Sequence, residues 1–482
     1  MEKQNQNQNQ NQNLKGISLG ALIAIVISGT VGAGIFDLPS TLAKASTSGV
    51  VLLAWVISGI GILSLALSLN KLVLEKPELS GLTDYAREGF GDFFGFLSGW
   101  GYWLSSWIGN IAFAIMLMSS VGYFIPNLRT GNTIPAIIFS SIISWFLFAL
   151  VANGVESASV INAIVTWTKL VPLFVFIVVA VLSFKINLFT EHFWQNFSVN
   201  SGIFNFHIAT FSGIVNQLKG SLMVMIWAFV GIEGASIMSS RAKKKSDAGK
   251  ATIISLISLI ILYLAITLLP YGYFSQSELS KMNTPALIYM FEKMVGHVGG
   301  IFISLGLIIT ILGAWLSWTI IPPEAASLMA EQGLFPKIFQ KKNKNNAPIN
   351  SLLITQILLQ LFLISLFFTN EAYKFAYSLA TAGFMVIYAF IGAYVIKLGI
   401  QQKQFKVILI GIIATAFQIF ALFLSGMNYL LLFLTSYLLG FLLYIKAKND
   451  NNEIIPLKDK ILMLIISLLG LGILFGFIPT DI

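Results

Sequence analysis

Ser28-Gly29-Thr30-Val31-Gly32-Ala33-Gly34 lies near the middle of an apolar run over residues 16–43, and Trp227-Ala228-Phe229-Val230-Gly231-Ile232-Glu233 lies inside another over 214–239. Glycine weakens a helix and lets backbones approach closely, so each stretch reads as an unwound segment within a membrane-crossing helix. The two runs are five spans apart. An odd spacing brings the second five-helix unit into the membrane from the opposite side, which generates an inverted repeat with a substrate site near the bilayer midplane. Close helix packing would account for Gly32 and Gly34 alone. Their pairing with an aromatic, carboxylate-bearing break five spans later selects the interrupted-helix reading.

The rest of the chain agrees with a bilayer as its solvent. Of 482 residues, 56% are apolar and 10% charged, more hydrocarbon than a water-soluble fold can hide. Runs long enough to span, about 20 residues each, are expected at 16–43, 49–72, 92–125, 134–153, 157–183, 214–239, 250–274, 298–330, 350–368, 374–397, 404–424, 428–446 and 460–478. They are unbroken rather than alternating, so they are helices and not strands of a barrel. The net charge of +9 invites a nucleic-acid reading. With the N-terminus inside and the spans alternating, however, most basic residues fall on the cytoplasmic side, so the excess is topology and no nucleic-acid partner is implied. The Asn/Gln tail, residues 1–13, is too polar to bury anything and is expected to be disordered and cytoplasmic. Retention of the first apolar run as a span is expected, because no small-residue cleavage site follows it.

Enzymatic chemistry finds little support. There is no cysteine, the three histidines (His192, His207, His297) fall in or beside external connections, and no ligand-like spacing suggests a metal site. Nor does a phosphate-cradling loop with its lysine occur, so gradients or exchange would supply the energy and no cofactor is implied. A channel would call for a selectivity motif that is also missing.

Gly32-Ala33-Gly34-Ile35-Phe36 with Pro39, and Trp227 to Glu233, resemble the two broken helices of the amino acid–polyamine–organocation superfamily. Tyr102-Trp103-Leu104-Ser105-Ser106-Trp107-Ile108-Gly109-Asn110 and Glu331-Gln332-Gly333-Leu334-Phe335-Pro336 are similar to stretches of its basic amino acid/polyamine antiporters. The similarity covers residues 14–446. The Lys76-Pro77-Glu78-Leu79 connection, the Gly89 to Gly95 turn and a thirteenth span look most like arginine–ornithine antiporters. The resemblance implies an all-α membrane protein of the leucine-transporter type, a 5+5 inverted repeat with appended helices and 12–13 spans. Its parts would be a first repeat over 14–184, an external loop over 185–213, a second repeat over 214–398 and appended helices over 399–482. It also implies a bacterial inner membrane, small amino acids as partners, a monomer or homodimer, and alternating-access exchange of basic amino acids. A neutral amino acid or amine transporter is the alternative.

An amino acid's carboxylate suits the free N–H groups and positive end of a half-helix, here Gly32, Ala33 and Gly34. Its ammonium suits the carbonyls of an unwound sixth span, which the resemblance places at Trp227 and Val230. A distal cationic group is then read by Ser105, Ser106, Asn110 and Trp318, since an indole face holds a cation at about 0.5–2 kcal/mol. Glu233, whose carboxylate is costly inside a span, and Tyr102 are expected at the gate or coupling point. Lys169, deep in the fifth span, faces the first break in related transporters and would stand where others hold sodium. Asp37 and Glu324 carry less weight: solvation at a helix end or pairing with a nearby lysine accounts for them as well as a ligand does.

Overall fold

The computed structural model describes residues 17–79, 81–154, 169–237, 242–368 and 371–479. The Asn/Gln tail and the first part of the fifth span lie outside the described residues. Of the described residues, 79% are helical. Among the described residues, eight helices are apolar and long enough to cross a membrane, the longest uninterrupted one being His297–Glu331. The other expected spans escape that criterion for identifiable reasons. The first and sixth are broken, the fifth is described only from Lys169 onward as helix Leu170–Leu182, and the thirteenth, Leu457–Leu474, opens with Lys458, Asp459 and Lys460. Residues Phe405–Asp450 form one helical run of 46 residues, roughly 70 Å if straight and twice what a bilayer needs. Both its ends meet the same face: Gln402 and Gln404, just before it, bond Glu75 and Lys71, while Lys448 pairs with Asp92. The run therefore doubles back at the π-helical turn Leu422–Gly426 and counts as two spans, as expected.

Position in the bundle follows side-chain character. In the third span, Asp92–Val121, 94% of the apolar window is buried, whereas in Ile134–Ala152 only 28% is. The third span is thus the central post. The outward row Ile138, Phe139, Ile142 and Phe146 makes the fourth span a lipid-facing one.

Both breaks are present. Helix Leu19–Thr30 stops where Val31 (ψ 86) and Gly32 (φ −105, ψ −157) leave helical geometry; a 3-10 turn Ala33–Phe36 and helix Leu38–Ala45 complete the span. Helix Phe211–Trp227 gives way to a turn through Glu233 before Gly234–Ile237 resumes. Gly231 in that turn has φ +106, a region side-chain-bearing residues rarely enter.

Within the connection expected as a plain loop, strands Gln195–Asn200 and Ile203–Ile208 pair antiparallel across Ser201 and Gly202, both at positive φ, as a primed two-residue hairpin turn requires. Phe197, Phe204 and Phe206 pack across the pair, and His192 stacks on Phe206 at 3.6 Å. Two six-residue strands are too short to stand out beside the spans.

Candidate functional site

The breaks face one another. A Cβ on Gly231 would lie 2.8 Å from the Gly29 carbonyl oxygen and 3.1 Å from the Thr30 nitrogen, so the sixth span's turn rests directly on the first span's backbone. Tyr263 of the seventh span ties the same pair together. Its hydroxyl donates to Ala228 O at 2.7 Å and lies 3.4 Å from Thr30 O.

Between the breaks lies a tight cavity of about 20 Å³, room for little more than one water. The first span lines it with Gly29, Thr30 and Gly32 to Ile35, and the third with Ser105, Ser106, Gly109 and Phe113. Trp227, Ala228 and Val230 of the sixth span, with Tyr263, Trp318 and Phe384, close the remainder. Gly109 leaves room for Trp227: a Cβ there would stand 2.9 Å from the indole.

The polar groups sort by sign. Ala33 and Gly34 open a helical turn, and the first N–H groups of such a turn have no acceptor within it. Gly32 departs from its expected role, because its own N–H donates to Thr30 O at 2.8 Å. Opposite, the Trp227 carbonyl accepts from Val230 N at 3.2 Å and retains one lone pair, while the Val230 carbonyl accepts no hydrogen bond among the described residues. The hydroxyls of Ser105 and Ser106 are buried without a protein partner among the described residues. No carboxylate lines the cavity.

Five of the residues singled out in the sequence, Asn110, Tyr102, Glu233, Lys169 and Asp37, stand behind the lining rather than in it. Asn110 is buried and donates through Nδ2 to Trp318 O at 2.9 Å, so it anchors the eighth span beside the site. Tyr102 packs edge-on against Phe384 (5.7 Å), which in turn meets Trp318 (6.2 Å). Glu233 accepts from Gly231 N–H at 3.1 Å and from the Tyr388 hydroxyl at 2.9 Å, which joins the sixth span's turn to the tenth span. Lys169 is buried against the first break. Its ammonium donates to the Ser28 carbonyl, to Ser28 Oγ at 3.0 Å and to Val31 O at 3.2 Å. Asp37 is buried too and caps a helix of the connection between the seventh and eighth spans.

Phe113, Tyr263 and Phe384 are lining residues that the sequence reading missed. For Phe113 a signal existed: Ser105, Gly109 and Phe113 recur every four residues, one face of a helix already identified. Tyr263 and Phe384 carry no local signature among the aromatics of their spans.

The amino acid permease family profile matches residues 17–429. This chain belongs to the amino acid permease family. The family is one of transporters rather than enzymes. The chain is similar to an arginine/ornithine antiporter of Lactococcus lactis subsp. cremoris, 50% identical over 466 residues that cover 95% of this chain and 94% of that protein. It is 49% identical over 443 residues to an arginine/ornithine antiporter of Latilactobacillus sakei (91% and 92% covered). An arginine/agmatine antiporter of Chlamydia felis is 36% identical over 478 residues, with 96% and 97% covered. Among solved structures, a Na+-coupled sialic acid symporter in a substrate-bound outward-open state shares the fold, with a TM-score of 0.50 at 13% identity over 85% of this chain and 89% of that one. The leucine-transporter-type architecture is thereby shared well beyond detectable sequence kinship.

Proposed function

We propose that this chain exchanges basic amino acids across a bacterial plasma membrane by alternating access, with arginine against ornithine as the leading pair. The observation that carries the reading is near-full-length identity of 48–50% to arginine/ornithine antiporters. The cavity's chemistry supports it. Ala33 and Gly34 N–H groups receive the substrate carboxylate, and the Trp227 and Val230 carbonyls receive the α-ammonium. Ser105, Ser106 and the face of Trp318 hold the distal cation without an ion pair. A cation held this way can leave, as exchange requires. Asn110 fixes Trp318 in place, Glu233 with Tyr102 gates the path, and the Lys169 side-chain nitrogen occupies the first break as a hydrogen-bond donor to Ser28 and Val31, which favours exchange independent of sodium. The two repeats over 14–184 and 214–398 form the transport core with 399–482 appended. The distribution of lysine and arginine sets the N-terminus in the cytoplasm.

The deciding experiment is counterflow in proteoliposomes. Labelled arginine taken up only against internal ornithine, arginine or lysine, equally with and without sodium, is the expected result. Uptake into empty vesicles driven by a proton gradient, or uptake of neutral amino acids alone, would refute basic amino acid exchange. Within that assay Trp318→Ala is expected to weaken arginine binding about tenfold or more, and Asn110→Ala less but in the same direction, both exceeding Glu233→Gln. Equal or reversed losses in a binding titration would remove the distal subsite from the third and eighth spans.

A further inference from the structure

The connection between the seventh and eighth spans grips the short second half of the first span, Leu38–Ala45, at three points. Tyr271 donates its hydroxyl to Ser46 O at 2.8 Å, Gln276 donates its side-chain amide to Ala43 O at 3.1 Å, and the Ala286 N–H donates to Asp37 Oδ1 at 3.0 Å. The third contact differs in kind from the other two. Ala286 is the first residue of the ten-residue helix Ala286–Val295, whose unpaired N–H groups and dipole favour a carboxylate. Asp37 follows directly on the 3-10 turn that lines the cavity, and its other oxygen accepts from Thr41 Oγ1 at 3.0 Å. At 3% exposure the carboxylate is out of water, so its solvation depends on a partner belonging to a different element. Thr41 belongs to the same helix and stays with the carboxylate, so parting the two elements costs Asp37 the Ala286 bond, a contact that is either formed or given over to water, the kind of two-state element conformational switches use.

We propose that Asp37 is a latch. Its carboxylate, seated on the first turn of Ala286–Val295, holds the outer half of the broken first span closed over the cavity, and outward opening releases it. The proposal rests on the alternating-access reading above, with the side opposite Arg87 and Lys397 taken as the outside. It assigns to the Asp37 contact a larger weight in the outward–inward equilibrium than to either of the two neutral bonds to main-chain carbonyls, because a hydrogen bond to a carboxylate is stronger than one between neutral groups and the carboxylate gains more from water on parting.

The absence of cysteine from the sequence makes the test direct. Ser40 is fully buried one turn beyond Asp37, on the same helix face, and Ser40→Cys introduces a single thiol of nearly the same size. Its rate of reaction with a membrane-impermeant maleimide, applied to the outer face of intact cells, reads outward opening. Asp37→Asn is expected to raise that rate about tenfold. Ala286→Pro, which removes the donor and sets a ring carbon toward Asp37 in its place, at the helix position proline tolerates best, is expected to do the same. It serves independently should the Asp37 variant fail to fold. Glu278→Gln, in the same connection but folded back on Ser275, is the control expected to leave the rate unchanged. Unchanged labelling in both variants, with arginine exchange retained, overturns the latch. Labelling that responds in a protein that exchanges no basic amino acid overturns the functional reading and leaves the latch standing.

Discussion

Gly231→Ala is expected to abolish exchange while leaving the protein folded. Two costs fall on one methyl group. The backbone at φ +106 strains any residue with a Cβ, by about 1–3 kcal/mol, and the Cβ itself arrives 2.8 Å from the Gly29 carbonyl oxygen and 2.9 Å from its carbon. Both partners in that clash are main chain, so no side chain can rotate out of the way. The sixth span's turn must lift off the first span, and the cavity between them loses the spacing between its N–H groups and carbonyls. A fall of at least about 100-fold in arginine counterflow follows. Gly234→Ala, three residues on and with its nearest neighbour 4.0 Å away, is the matched control expected to transport near the native rate. Comparable activity in the two variants would mean that the close approach of the breaks is dispensable.

The second large effect is expected at Lys169. Its ammonium is the donor shared by the Ser28 carbonyl, Ser28 Oγ and Val31 carbonyl, at the point where helix Leu19–Thr30 gives out. Lys169→Met keeps the length and apolar stem but withdraws that donor, and a buried acceptor such as the Val31 carbonyl, deprived of its hydrogen bond, costs about 1–3 kcal/mol. The break can regain hydrogen bonds only by rewinding or by admitting water, and either shift displaces Ala33 and Gly34. Exchange is expected to drop by at least about 100-fold and arginine affinity with it. Lys169→Arg is expected to rescue poorly, because a planar guanidinium cannot point at three acceptors clustered around one ammonium. If Lys169→Met retained native affinity in a binding titration, the lysine would be a passive filler of the fifth span. Persistent affinity with lost exchange would assign it to the conformational step alone.

The membrane setting, the helical class, the two interruptions and most of the cavity's lining were legible in the sequence. Each depends on what neighbours along the chain are. Length and apolarity make a span, glycine with small polar residues unwinds one, and a four-residue recurrence puts Ser105, Gly109 and Phe113 on one face. The same locality explains the errors. Asn110 shares a helix with Ser105 and Ser106 but stands behind the lining, where its Nδ2 donates to the Trp318 carbonyl, 208 residues away in sequence, and its Oδ1 has no partner among the described residues. Gly32 was expected to offer its N–H to a ligand, but the tight turn after Thr30 claims it.

What only the tertiary structure decided is which turns of distant spans meet. Tyr263 bridges Thr30 and Ala228, and Tyr388 reaches Glu233 across 155 residues. Asp37 is held by a helix that begins 249 residues later. In lipid, apolar side chains gain little by choosing one helix partner over another, so composition leaves the pairing of spans open. The pairing is fixed instead by small-residue contacts and a few buried hydrogen bonds. Those depend on rotation and depth of whole helices, quantities that the sequence of any single span does not encode.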